Sequence, residues 1–133
     1  MLNTAGYIVS ATESWLTPKV LPMLAFLITG IVAFSTGTSW GTYAIMIPIA
    51  VPLAFNFSSN ELDTVVYATI AAVAGGGVFG DHCSPLSDTS ILASTGAASD
   101  HIDHIKTQMP YALLVGLISV MIYLSIGWFL VGQ

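Results

Sequence analysis

One polar stretch set between apolar runs constrains this chain more than any other feature. It spans residues Ala74–Ser94 and reads AGGGVFGDHCSPLSDTSILAS. The runs on either side are long enough to be embedded in a bilayer, yet the stretch holds Asp81, Asp88 and His82. A charge in such surroundings is expensive and marks function more often than accident. Gly75, Gly76, Gly77 and Gly80 weaken a helix, and Pro85 lacks the amide donor that a helix interior needs. A continuous helix is therefore not expected here. Unwound backbone at membrane depth is tolerated only where protein buries it or where it lines a cavity. The pattern predicts an ion or substrate site on a broken helix.

Composition points the same way. Of the 133 residues, 55% are hydrophobic and 7% charged, against about 25% charged in a soluble domain. The expectation is an all-α, polytopic integral membrane protein. Seven acids against two lysines give a net charge of −5. That excludes the basic footprint of a nucleic-acid binder. The lone Cys83 cannot form an internal disulfide. Residues 1–19 lack the basic start of a signal peptide. They read as an interfacial segment anchored by Trp15, or equally as a buried connection.

Along the chain, residues 20–55 form two apolar pieces joined by Ser35, Thr36, Gly37, Thr38 and Ser39, with Pro48 and Pro52 in the second. Each piece is shorter than the roughly 20 residues of a full span. The region reads as a re-entrant hairpin or a broken helix. A hairpin puts Lys19 and Lys106 on opposite sides, so their charges cancel as an orientation signal; a single crossing puts both on one side. Ser58, Ser59, Asn60 and Glu61 are expected to cap the next helix. Residues 62–98 read as a broken helix with a polar loop, its second piece starting near Asp88 and capped by Ser87 or Asp88. Ser99–Gln108 reads as a polar loop outside the membrane, and 109–131 as the one uninterrupted transmembrane helix.

A broken membrane helix leaves free carbonyls at one end and free amides with a positive dipole end at the other. A hard cation such as Na+ takes oxygen ligands. Asp81, Asp88, Ser84, Ser87 and Thr89 offer them, and His82 is placed to relay a proton or bond a carboxylate. Desolvation favours the protonated acid and a nearby cation the ionised one. A carboxylate that holds either H+ or Na+ meets the minimum requirement for their exchange. The tip hydroxyls complete the site or satisfy their own turn. Asp88 is the acid better placed simply to cap. His101 and His104, with Asp100 and Asp103, mimic metal-ligand spacing but read as a solvated patch. A hydrolase built from Ser84, His82 and Asp88 lacks a nucleophile-elbow signature. No enzyme and no cofactor are expected.

Two stretches, FSTGTSWGTYAIMIPIAVPLA and GGGVFGDHCSPLSDTSILASTGA, resemble the C-terminal signature of the NhaC-type Na+/H+ antiporter family, as does Asp100–Ala112. The resemblance implies the C-terminal repeat of an inverted-repeat secondary transporter. Each repeat would supply a hairpin tip and a broken-helix loop to one site. It assigns Ser35, Thr36, Gly37, Thr38 and Ser39 to the tip, and Asp81, His82, Ser84, Pro85, Ser87 and Asp88 to the loop. The implied work is exchange of Na+ for H+ by alternating access, in a bacterial or archaeal plasma membrane. The implied partners are the lipid bilayer and an N-terminal half or a second copy. The alternatives are Na+-coupled transport of an organic acid or amino acid, and a membrane subunit that only assembles with others.

Overall fold

The computed structural model describes residue 7 and residues 16–59, 61–129 and 131. The interfacial segment expected over 1–19 lies almost wholly outside the described residues. Five helices follow it: α1 (Leu21–Thr36), α2 (Ser39–Phe57), α3 (Thr64–Cys83), α4 (Asp88–Gly96) and α5 (His101–Phe129). The described residues contain helices and turns and no strand. Helices α2, α3 and α5 are each long and apolar enough to cross a membrane; α1 is apolar and shorter, at 16 residues.

Contacts between side chains give the directions. Leu21 at the start of α1 packs with Leu53 and Ala54 near the end of α2. At the other end, the Thr36 and Thr42 hydroxyls meet at 3.1 Å. Helices α1 and α2 thus form an antiparallel pair whose tip is Gly37–Thr38. Val65 and Val66 at the start of α3 join the Leu21 cluster, so α3 runs parallel to α1 and antiparallel to α2. Helix α5 returns beside α3: Gly116 lies against Phe79, and Gly127 against the backbone of Lys19. The Lys19 ammonium sits 5.2 Å from the Trp128 ring centre, a cation–π contact that ties the two chain segments at that end. Lys106 lies near the start of α5, at the opposite end. A second cluster forms the middle of the bundle, with Phe26 between Phe79 and Tyr123, both ring centres 5.5 Å away.

The glycine-rich segment departs from expectation. Helix α3 runs unbroken through Gly75, Gly76, Gly77 and Gly80 to Cys83. The reason is packing. A methyl group on Gly76 would strike the Phe26 carbonyl, and one on Gly80 the Gly30 carbonyl and the Phe34 amide. The two glycines are one turn apart on one face, and they let α3 approach the α1 backbone directly. Small residues at this spacing bring membrane helices together. That close contact outweighs the helix propensity lost at each glycine, about 1 kcal/mol.

Three further boundaries differ. The cap of α3 is Asp63, whose Oδ1 accepts from the Thr64 amide at 2.6 Å, rather than the Ser58–Glu61 segment. The chain breaks at Ser84–Ser87, past the glycines. Residues 101–108, expected in a polar loop, form the first two turns of α5. Asp100 caps them, its Oδ1 accepting from the Ile102 and Asp103 amides at 2.9 and 3.1 Å. One carboxylate serves two free amides, so the helix starts eight residues before its apolar part.

Gly80→Ala is expected to push α1 from α3 and cost about 1–3 kcal/mol of stability, as overpacking does. Gly96→Ala, where an added methyl meets open space, is expected to stay within about 0.5 kcal/mol of the parent. Thermal unfolding of the purified variants in detergent checks both.

Candidate functional site

Helix α3 ends beside its own acid. The Ser84 amide bonds the Asp81 carbonyl at 3.1 Å, the last hydrogen bond before the chain extends. Pro85 follows and has no amide to offer. The break is held locally: Ser84 is fully buried, and its Oγ accepts from the Leu86 amide at 3.2 Å. Ser87 then caps α4, its Oγ facing the Ser90 amide at 3.4 Å.

The same Ser87 hydroxyl donates to Asp81 Oδ1 at 2.8 Å. The Thr89 hydroxyl stands 3.3 Å from Asp81 Oδ2 and 2.7 Å from Ser87 Oγ. Asp81 is 5% exposed and Ser87 fully buried. Four side-chain oxygens therefore converge where α3 ends and α4 begins. Each hydroxyl has one proton, so Thr89 serves either Asp81 or Ser87 at a given moment. A buried carboxylate with so few donors is poorly solvated when ionised alone.

The remaining expected residues are placed as follows. Asp88 is exposed in the first turn of α4, with no side-chain hydrogen bond among the described residues. It does not join Asp81, because the Ser87 cap turns the chain between them. His82 is exposed and faces a cavity of about 650 Å³ between α3 and α5, shared with Tyr43, Gln108 and Tyr111. Cys83 is buried. Ser84, His82 and Asp88 form no triad. No cluster of three or more His, Cys, Asp or Glu side chains that could hold a metal ion occurs among the described residues.

The hairpin tip reaches the break through its backbone. Gly37 has φ +68, and a methyl group there would lie 2.7 Å from the Leu86 carbonyl. Only glycine allows both the left-handed turn and the approach. The tip hydroxyls bond within the hairpin: Ser35 to the Ile31 carbonyl at 2.8 Å, Thr36 to the Val32 carbonyl at 2.9 Å, and Thr38 at the Gly41 amide. Ser39 opens α2.

Two residues outside the expected site belong to its frame. Tyr43 donates from its hydroxyl to the Ala74 carbonyl at 2.9 Å and packs its ring on Gly77. His101 bonds the Pro85 carbonyl at 2.9 Å and the Ser94 hydroxyl at 3.1 Å. Spacing alone offers no sign of Tyr43. For His101, the Asp100 cap was the available signal, because it moves the ring from a loop onto a helix end.

A bundle of apolar helices with a buried carboxylate at an internal helix break defines a polytopic membrane protein carrying an acidic site, as secondary transporters do. The chain belongs to the Na+/H+ antiporter family, whose profile it matches over residues 1–128. It is 42% identical over 127 residues to an uncharacterized protein of Haemophilus influenzae, covering 96% of this chain and 24% of that one. An uncharacterized Na(+)/H(+) antiporter of the same organism is 37% identical over 112 residues, 84% of this chain and 23% of the relative. The arginine/ornithine antiporter ArcD of Halobacterium salinarum is 34% identical over 125 residues, 94% of this chain and 25% of the relative. The chain thus spans about a quarter of the length of these relatives. No solved structure matches it.

Ser87→Ala removes one donor from a buried carboxylate and the cap of α4 together. The expected loss is about 1–3 kcal/mol, with most of it restored by Ser87→Thr. Chemical denaturation in detergent, followed by circular dichroism, measures it.

Proposed function

We propose that this chain forms the C-terminal repeat of a transporter that exchanges Na+ for H+ by alternating access, with Asp81 as the carrier of either ion. The observation that carries the reading is the nearly complete burial of Asp81 against the Ser87 and Thr89 hydroxyls at the end of α3. In the proton-loaded state the carboxyl group is neutral and shares its proton with Ser87. In the sodium-loaded state the proton has left, and the Asp81, Ser87 and Thr89 oxygens turn lone pairs toward the ion. The unpaired carboxylate is too costly to persist, so each ion leaves as the other arrives.

The other expected residues take supporting roles in this reading. Ser84 holds the break in shape. His82 stands at the edge of the cavity beside α3. Asp88, exposed one residue past the cap, draws cations toward the site without binding them. Gly37 brings the tip against the break, and Ser35, Thr36, Thr38 and Ser39 keep that tip folded. The remainder of the site would come from a matching repeat, on a partner half or a second copy, in a bacterial or archaeal plasma membrane.

A second reading is favoured by the names of relatives. One is an arginine/ornithine antiporter; another, 26% identical over 116 residues, is the malate-2H(+)/Na(+)-lactate antiporter of Bacillus subtilis. In this reading the α4 N-terminus would bind a substrate carboxylate and Na+ would drive its movement. Proteoliposomes separate the two. Under ion exchange, a Na+ gradient moves protons with no organic solute present.

In such vesicles, holding the complete transporter, Asp81→Asn is expected to abolish Na+-dependent proton movement while the protein still inserts. Asp88→Asn is expected to retain it within about threefold, the effect of one exposed charge. A pH-sensitive dye in the vesicle lumen reads both. Full exchange by Asp81→Asn, or none by Asp88→Asn, reverses the assignment.

A further inference from the structure

We propose that His101 is a positioning residue that fixes where the Ser87 and Thr89 hydroxyls stand against Asp81. The proposal rests on the reading of Asp81 as the ion carrier. Helix α4 has nine residues, of which Ser90 and Ser94 are buried. A helix that short is marginal by itself, and its apolar side chains Ile91 and Leu92 are exposed. Burial therefore does little to hold it in place.

The His101 ring does more. Nε2 lies 2.9 Å from the Pro85 carbonyl, before α4, and Nδ1 lies 3.1 Å from the Ser94 hydroxyl, near its end. Ser87 and Thr89 fall between these two anchors. One ring on the first turn of α5 thus spans the break and the helix that follows it. Without it, α4 loses its tie to α5, and the hydroxyls stand less firmly against Asp81.

Proton counting gives the direction of each contact. The Pro85 carbonyl only accepts, so Nε2 carries a hydrogen. Ser94 has one hydroxyl proton and two neighbouring acceptors, Nδ1 and the Ile91 carbonyl at 2.9 Å. A ring with hydrogen on Nε2 therefore serves the Pro85 carbonyl and accepts at Nδ1 from Ser94, so both ring contacts are met together. Among the described residues no acidic side chain forms an ion pair with the ring; Lys106 pairs with Asp103 at 3.7 Å.

Amide hydrogen exchange over Ser84–Ile91, measured on the chain in lipid nanodiscs, tests this without needing transport. His101→Ala is expected to speed exchange of this segment about tenfold, the equivalent of one to two hydrogen bonds. His101→Gln keeps a donor for the Pro85 carbonyl and should exchange at close to the parent rate, as should His104→Gln. His101→Ala exchanging at the parent rate, or His101→Gln exchanging as fast as His101→Ala, overturns the proposal. Repeating the measurement in NaCl against equal choline chloride adds the sodium arm. The Na+ concentration for half-protection should rise roughly 3- to 10-fold in His101→Ala. A parent chain whose exchange ignores Na+ defeats the sodium reading alone, and the sodium-free rates then still decide the role of His101.

Discussion

The contact between Asp81 and the Ser87 hydroxyl is the interaction on which the rest of this structure depends. It joins the last turn of α3 to the first residue of α4 across a segment with few backbone bonds of its own. A buried carboxylate must be satisfied, and a helix start must be capped. One hydroxyl answers both needs, so the acid and the break hold each other in place. Removing either leaves a buried polar group without its partner, which costs more than the bond itself contributes.

The other helices serve to bring that point into a fixed setting. Gly76 and Gly80 let α3 lie on the α1 backbone, and this places the hairpin tip level with the break. Gly37 then touches Leu86, and Tyr43 bonds the Ala74 carbonyl from α2. From the far side, α5 delivers His101 to Pro85 and Ser94. The segment between α3 and α4 is thus contacted by both neighbouring structural units. A site held from two sides shifts when either side moves.

Much of this was legible in the residues. An acid flanked by apolar runs, followed within a few positions by Pro85 and two serines, marks a helix interruption that holds an acid. What misled was the glycine cluster. By intrinsic propensity Gly75–Gly80 should open the helix, yet α3 passes through it. The propensity of a segment describes it in isolation, and here the lost propensity is outweighed by close packing on α1. The early start of α5 has a similar cause. Its first turns are polar, so hydropathy assigned them to a loop, while the Asp100 cap makes them helical.

The sequence by itself determined that this chain is an apolar helical membrane protein of the Na+/H+ antiporter family, with an acidic interruption and a hydroxyl-rich tip. Those conclusions follow from composition, local pattern and motif, all carried by neighbours along the chain. Which acid is buried was decided only by tertiary structure. Asp81 and Asp88 are seven positions apart and chemically identical. The Ser87 cap turns one inward and leaves the other exposed. The roles of Gly37, Tyr43 and His101 were decided the same way, because each acts on a residue more than a dozen positions away, at a distance that only the packed helices set.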